Sequence, residues 1–191
     1  DLSRFSLKLS KEKDQTDYKL EVMMHKAITI IQFKLEGQLI KRNPEFEMDD
    51  RLLLDKIDHI NNTVIINKKS YDMLDMDFPT VDKDDPYALS KEEEIVIEKI
   101  KHAFTHSEKL QRHIRFLYTK GSMYKIYNSN LLYHGCVPLD ENGEFKKVRI
   151  FGDDYSGKAL YDVLEHYARK GFFSKNPENK RKGEDILYYI W

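Results

Sequence analysis

The sequence has little cysteine and no long hydrophobic run. Cys136 is the one cysteine among 191 residues. This excludes an internal disulfide framework and a cysteine-rich zinc site, and it is typical of a protein of the reducing cytoplasm. No apolar stretch approaches the ~20 residues that span a bilayer, and residues 1–17 lack the pattern of a signal peptide. We therefore expect a cytoplasmic protein with no membrane partner.

Net charge is also nearly absent, since 32 basic residues stand against 33 acidic ones. A formal charge of −1 produces no global field that would attract nucleic acid, so we expect no nucleic-acid partner. Aromatic residues are plentiful, with 12 tyrosines and 10 phenylalanines, and 40% of the chain is hydrophobic. That composition is enough for a folded core and argues against a disordered chain.

Both ends of the sequence indicate a piece of a longer protein. Position 1 is Asp1, and the chain stops at Trp191 directly after the apolar run 186–190. Natural termini are usually polar and loosely held. The alternative is a natural terminus that docks on its own core.

Hydrophobic periodicity divides the chain into three parts: a poorly ordered polar lead-in over 1–15, a mostly helical part with a short hairpin over 16–120, and a β-rich part with flanking helices over 121–191. The first long helix is predicted over 16–41. Its buried stripe is predicted to contain Leu20, Met24, Ala27, Ile28, Ile31, Leu35 and Leu39.

Further elements follow from turn and capping signals. A short helix is predicted over 48–60, and a strand over 63–66 is predicted to pair back with 71–74. Ser90 and Glu93 form a capping box that opens a helix reaching about residue 119. Beyond Gly121 the pattern predicts strands over 123–127, 131–137 and 145–151, a helix over 157–169, a polar loop through 176–177 and an apolar end.

Four polar residues, Glu98, His102, His106 and His113, recur on one side of the predicted 91–119 helix. Histidines four residues apart can bind zinc. The other interpretation is a solvated helix face, which we favour because the stripe lies away from the apolar positions.

A basic run with interleaved aromatic residues, Lys109, Arg112, Arg115 and Lys120 with Phe116 and Tyr118, lies on the same helix. It could hold a phosphate or an RNA backbone. We favour an ordinary exposed face, because five glutamates share the helix. Cys136 is expected to be inert packing.

The segment 131–137 gives the sharpest local signal, because an apolar strand ends at His134 and Gly135 follows. A neutral imidazole on a rigid strand end is a good metal ligand. The alternative is a hydrogen-bonded core histidine.

Three segments together resemble one enzyme family. They are MHKAITIIQFKLEGQ (24–38), HSEKLQRH (106–113) and YKIYNSNLLYHGCVPL (124–139). These segments strongly resemble the bacterial class III fructose-1,6-bisphosphatases, and the resemblance covers nearly the whole chain. It implies an internal fragment of an enzyme about three times longer, with an α+β fold of the calcineurin-like metallophosphoesterase type: a helical insertion followed by part of a β-sandwich with flanking helices.

The resemblance also implies a two-metal phosphatase that hydrolyses the 1-phosphate of fructose 1,6-bisphosphate in gluconeogenesis. In that superfamily a lone His followed by Gly supplies one metal ligand, which places the role on His134. The early Gly-Asp-x-His, Gly-Asp-x-x-Asp and Gly-Asn-His motifs and the final Gly-His motif are missing here. No catalytic or sugar-binding residue is therefore assigned. Manganese or magnesium suits the ligand types, and the fragment alone is expected to be inactive.

Under this interpretation the helical part 16–120 is a cap or a homo-oligomer contact beside the catalytic sandwich. A competing hypothesis is a non-catalytic helical interaction or regulatory module in which His134 belongs to the core. A weaker third hypothesis is RNA binding through Arg112 and Arg115.

Overall fold

The computed structural model describes residues 4–5, 16–133 and 135–191. Five α-helices and seven short strands lie in the described residues, and the strands form one three-stranded and two two-stranded antiparallel sheets. The α+β class expected from the sequence is thereby confirmed. The chain divides into two compact units, residues 1–100 and 101–191. The predicted change from helix to strand near residue 121 falls inside the second unit.

Two residues of the lead-in over 1–15 are described. Phe5 is buried, and the guanidinium of Arg4 donates a hydrogen bond to the carbonyl of Pro79, at 3.0 Å. The rest of the predicted lead-in lies outside the described residues.

Helix α1 spans Thr16–Arg42, which confirms the predicted helix. The predicted buried stripe is wrong at four of its seven positions, because Leu20, Met24, Ile28 and Leu35 are exposed. The buried face carries Lys34 and Ile40 in addition to Ile31 and Leu39 of the stripe and to Ile30, which the sequence predicts to widen it.

Gly37 lies where α1 meets the loop before the second helix. A Cβ built on Gly37 would be 2.0 Å from the ring of Tyr87, so only glycine permits this close approach. The Tyr87 hydroxyl donates to Asp55 at 3.0 Å, and burial together with that carboxylate raises the pKa of Tyr87 to about 12. This close packing covers α1 around Gly37, near the buried residues Leu39 and Ile40.

The helix predicted over 48–60 is wrong. Three short 3₁₀ turns, at Pro44–Phe46, Asp49–Arg51 and Leu54–Lys56, lead into strand β1 at Ile57–Asp58. The Asp58 carboxylate accepts hydrogen bonds from the amides of Ile60 and Asn61, which turns the chain instead of extending a helix. These bonds, chiefly those from Asn61, hold the pKa of Asp58 below its usual value.

The predicted hairpin is confirmed, but its second strand begins two residues earlier than the predicted 71–74. Strand β2, Thr63–Ile66, pairs with β3, Lys69–Asp72, and β1 pairs with β2 on its other edge. The sheet order is therefore β1-β2-β3.

The predicted capping box is also confirmed. The Ser90 amide donates to Glu93 at 2.7 Å, and the Glu93 amide donates to the Ser90 hydroxyl at 3.3 Å. The single helix predicted over 91–119 is wrong, because the chain forms α2 at Lys91–Thr105 and α3 at Glu108–Lys120. Ser107 separates them, since its hydroxyl accepts from the Leu110 amide and begins a new helix.

The second unit contains two hairpins. Strands β4, Tyr124–Tyr127, and β5, Asn130–Tyr133, are joined by Asn128 and Ser129, both in the left-handed region. The hairpin matches the prediction, although β5 is shorter than 131–137. Strand β6, Val148–Ile150, pairs with β7, Asp153–Tyr155, which the sequence interpretation missed because Gly152 was taken as the end of a strand.

Two helices complete the second unit. Helix α4 spans Gly157–Phe173 and extends beyond the predicted 157–169. Helix α5, Pro177–Ile190, was not predicted, because Pro177 was interpreted as a loop residue. The two helices approach closely at Gly171 and Gly183, where an added Cβ would lie 2.2 Å from backbone. Among the described residues, none of the helices combines the length and the hydropathy that a membrane span needs.

Candidate functional site

The predicted metal ligand, His134, lies outside the described residues. The residues on either side of it are described. Strand β5 ends at Tyr133, and Gly135 has a φ of 85°. An added Cβ at Gly135 would meet nothing within 4 Å, so this position favours glycine for its backbone angle and not for lack of space. Position 134 is therefore followed by a sharp change of backbone direction.

A cleft of about 300 Å³ lies beside this change of direction. Tyr133 and Val137, which flank the segment 134–136, both line it. Its remaining walls come from Tyr124, Ile126, Leu131, Phe145, Gly157, Lys158 and Tyr161. Because most of these side chains are apolar or aromatic, the cleft is suited to packing more than to holding a phosphate group.

Tyr161 connects the segment after β5 to helix α4. Its hydroxyl donates to the carbonyl of Cys136 at 3.1 Å, and its ring makes edge contacts with Tyr124 and Tyr133. Burial, with lesser effects from Tyr133 and Cys136, raises the pKa of Tyr161, so this phenol stays neutral and remains a donor. Cys136 itself is exposed, which contradicts the expectation of buried packing.

Lys158, on the rim of the cleft, is already paired. Its ammonium contacts the Asp162 carboxylate, which also accepts from the Tyr124 hydroxyl at 2.9 Å. Hydrogen bonds from Lys158 and then Tyr124 lower the pKa of Asp162, and the same pairing raises the pKa of Lys158. The lysine therefore keeps its charge, and an anionic ligand would have to compete with Asp162.

Glu165 of α4 binds the turn that precedes β4, an arrangement that the sequence interpretation missed. It accepts from the Ser122 hydroxyl at 2.6 Å and the Met123 amide at 2.9 Å, and it pairs with Arg169 at 2.7 Å. Arg169 also donates to the carbonyl of Gly121 at 2.7 Å. The available signal was the Glu165–Arg169 spacing of four residues on a helix. This cluster fixes where the β4–β5 hairpin begins.

The predicted polar stripe is divided by the break between α2 and α3. Glu98, His102, His106 and His113 are all exposed, in agreement with the favoured solvated face. The rings of His102 and His106 stack at 3.8 Å, and Nδ1 of His106 is 2.9 Å from the His102 carbonyl. Within the described part of the chain, no three His, Cys, Asp or Glu side chains are grouped as a metal site.

The basic run is only partly free for a ligand. The Arg115 guanidinium lies over the rings of Phe172 and Phe173, with 5.7 and 6.0 Å to their centroids. Tyr118 stacks on Phe172 at 5.2 Å. These contacts give Arg115 and Tyr118 a packing role within the second unit.

Comparison with known proteins agrees with the family resemblance found in the sequence. The family model described as Firmicute fructose-1,6-bisphosphatase matches residues 1–191. The chain belongs to this family.

Curated relatives of the fructose-1,6-bisphosphatase family include two clostridial proteins named fructose-1,6-bisphosphatase class 3. The protein of Clostridium botulinum (strain Langeland) is 52% identical over 184 residues, and that of Clostridium novyi (strain NT) is 54% identical over 184 residues. Each alignment covers 96% of this chain and 28% of the relative. The chain thus spans less than a third of the length of these relatives. No solved structure matches.

Family membership confirms the resemblance on which His134 was singled out. The role of His134 as a metal ligand stays a prediction.

Proposed function

We propose that the chain is one portion of a cytoplasmic fructose-1,6-bisphosphatase. The whole enzyme hydrolyses the 1-phosphate of fructose 1,6-bisphosphate to give fructose 6-phosphate and phosphate, a reaction of gluconeogenesis. The proposal depends chiefly on the family match over all 191 residues, supported by 52% identity to a class 3 enzyme. The substrate partner is accordingly a sugar bisphosphate.

For the fold of the whole enzyme we propose the calcineurin-like metallophosphoesterase type. Residues 121–191 then contribute to its β-sandwich, and residues 16–120 are a helical elaboration. Support comes from the β4–β5 hairpin, whose Ile126, Leu131 and Leu132 are more than half exposed. Such a two-stranded hairpin is marginal alone and gains stability when further strands cover its apolar side chains.

We further propose that His134 is one ligand of a manganese or magnesium pair. Support comes from the family match and from the described neighbours of this position, since strand β5 ends at Tyr133 and Gly135 has a left-handed backbone. When bound, a metal pair supplies an activated water and neutralises phosphate charge. One imidazole does not hold two ions, and the described residues provide no group of three candidate ligands. We therefore propose that this chain supplies one ligand of the metal pair and that the rest of the enzyme supplies the others.

The test is a metal analysis and phosphatase assay of the full-length protein with a panel of sugar phosphates. We expect manganese-dependent hydrolysis with fructose 1,6-bisphosphate as the fastest substrate, and no activity of residues 1–191 by themselves. Preference for another phosphate ester would overturn the substrate. Activity of residues 1–191 alone would overturn the proposal that other ligands are required.

A second candidate is a protein contact made by the helical part. Phe116 and Leu117 of α3 are 64% and 62% exposed, so two adjacent large apolar side chains of this helix are open to a contact. This observation favours a homo-oligomer contact. Light scattering of the full-length protein with Phe116→Ser and Leu117→Ser together should show a smaller assembly. An unchanged mass would show that α3 makes no such contact. A separate outcome, absence of phosphatase activity in the full-length protein, would favour a non-catalytic interaction module.

A further inference from the structure

A cavity of about 530 Å³ lies in the first unit between α1 and the beginning of α2. Its apolar walls are Met24, Ala27, Ile28 and Ile31 of α1 and Val96 and Ile100 of α2. A volume of this size is typical of pockets for small organic molecules. The proposed hydrolysis assigns no role to these residues.

A buried ion pair lies at the edge of this cavity. Lys34 has no exposed side-chain surface, and its ammonium contacts Glu93 Oε2 at 2.8 Å and the Thr80 carbonyl at 2.6 Å. Glu93, which lines the cavity, has a side chain that is 5% exposed. Its Oε2 also accepts the Ser90 amide. One carboxylate oxygen thus takes both of these hydrogen bonds.

The other carboxylate oxygen has no hydrogen-bond partner within the described residues. The same is true of the Thr80 hydroxyl, and Thr80 lines the same cavity. A buried polar atom without a partner costs about 1–3 kcal/mol, so such atoms are rare in folded proteins and call for an explanation. Two of them beside one apolar cavity indicate a place where a hydrogen-bond donor is received.

Charge decides which kind of donor fits. Lys34 already neutralises Glu93, so an ammonium ligand would bring a second positive charge beside Lys34, and a carboxylate ligand has no proton to donate to Glu93 Oε1. Arg4, His25 and Glu92 also line the cavity, so its other charged groups do not select one sign of ligand. An uncharged hydroxyl meets neither penalty. Once the side chains of Glu93 and Thr80 turn to expose these two buried atoms, such a hydroxyl would donate to Glu93 Oε1 and its oxygen would accept from the Thr80 hydroxyl.

We propose that the cavity between α1 and α2 binds a small uncharged molecule that has an apolar body and a hydroxyl donor at one end. The apolar body lies against Ile28, Val96 and Ile100, and the hydroxyl reaches Glu93 and Thr80 after a small side-chain adjustment. This site is independent of the proposed hydrolysis.

The test compares 2-naphthol with 2-methoxynaphthalene, which keeps the ring and the oxygen but lacks the donor. Calorimetric titration of the full-length protein should give binding of 2-naphthol on the order of tenfold tighter, the effect of leaving a buried acceptor unpaired. Equal affinity of the two compounds would overturn the proposal, and so would a failure of 2-naphthol to bind.

Filling the cavity provides the second arm of the test. Ala27→Phe should weaken 2-naphthol binding at least tenfold, whereas Leu35→Phe, on the same helix but outside the cavity, should leave it unchanged. If Ala27→Phe fails to fold by circular dichroism, Val96→Trp fills the cavity from α2. Unchanged binding in a folded cavity variant contradicts the proposal. A third outcome is that neither compound binds, and that the protein self-associates unless the cavity is filled. That outcome would identify the cavity as a protein contact and would also contradict the proposal.

Discussion

Each of the two units uses a glutamate to hold a loop against a helix, but the two glutamates differ in burial. In the first unit Glu93 and its partner Lys34 are almost fully buried, with side chains 5% and 0% exposed. In the second unit Glu165 and Arg169 are 25% and 32% exposed. We therefore expect the two ion pairs to differ in how much the loss of one partner lowers the free energy of unfolding.

Burial determines what the loss of one partner costs. Water replaces a missing partner at the surface, so exposed pairs contribute about 0–1 kcal/mol. A buried charge that loses its partner has no such replacement. The comparison teaches that the first unit depends on Lys34 and Glu93 as a pair, whereas the second unit uses Glu165 as one contact among several.

The largest expected effect belongs to Lys34→Met. This change leaves the Glu93 carboxylate buried without a cation, and we expect the free energy of unfolding to fall by about 3–5 kcal/mol. Urea unfolding followed by hydrogen exchange of amides in 16–100 measures the loss. The matched control is Lys182→Met, which removes the exposed pair with Glu178 and should cost less than about 1 kcal/mol. If Lys34→Met and Lys182→Met lower the free energy of unfolding equally, burial does not distinguish the two ion pairs.

A double variant sharpens the same point. Lys34→Met combined with Glu93→Leu replaces the pair by apolar groups, so no unpaired charge remains. The capping-box bond to the Ser90 amide is lost, at a cost of about 1 kcal/mol. We expect the double variant to be more stable than Lys34→Met alone in urea unfolding. A double variant that is less stable than Lys34→Met would show that the two losses simply add.

A smaller effect is expected for Glu165→Gln. The amide keeps some of the hydrogen bonds to Ser122 and Met123 but loses the ion pair with Arg169, so the expected loss is about 1 kcal/mol. Hydrogen exchange of the β4–β5 amides measures it locally. A loss as large as that of Lys34→Met would contradict the role given to burial.

The smallest effect is a pH dependence. Burial acts to raise the pKa of Glu165, but hydrogen bonds from Ser122, Met123 and Arg169 outweigh it and lower the pKa below 4.5. A lowered folded pKa means that the stabilisation is complete above pH 4.5 and is lost as pH falls through the folded value. The difference between the wild type and Glu165→Gln should therefore shrink below pH 4.5 in unfolding curves. A constant difference would exclude this linkage.

Local signals in the sequence predicted much of the secondary structure. Ser90 with Glu93 gave the start of α2, and Asn128 with Ser129 gave the β4–β5 turn, because each signal acts within four residues. The errors in predicted secondary structure came from residues that are typical of more than one kind of structure. Pro177 begins α5 because Asn176 caps it by accepting from the Asn179 amide at 3.0 Å, yet a proline after asparagine also indicates a loop.

Long-range packing explains what local signals missed. The buried face of α1 is set by Tyr87 and Glu93, which are distant in sequence, so the apolar stripe alone misplaced it. The Glu165 cluster joins residues more than forty positions apart. The candidate metal ligand was found from a strand followed by glycine and from family resemblance, and its role stays a prediction; strand β5 ends directly before it, and Gly135 after it has a φ of 85°.

The most direct test of the central claim is the metal content of full-length protein with His134→Ala, beside His113→Ala as a control on the exposed face of α3. Loss of a ligand should reduce bound manganese and lower the turnover of fructose 1,6-bisphosphate at least about tenfold, as weakened metal retention implies. His113→Ala should change neither. Normal metal content and turnover in His134→Ala would contradict the account.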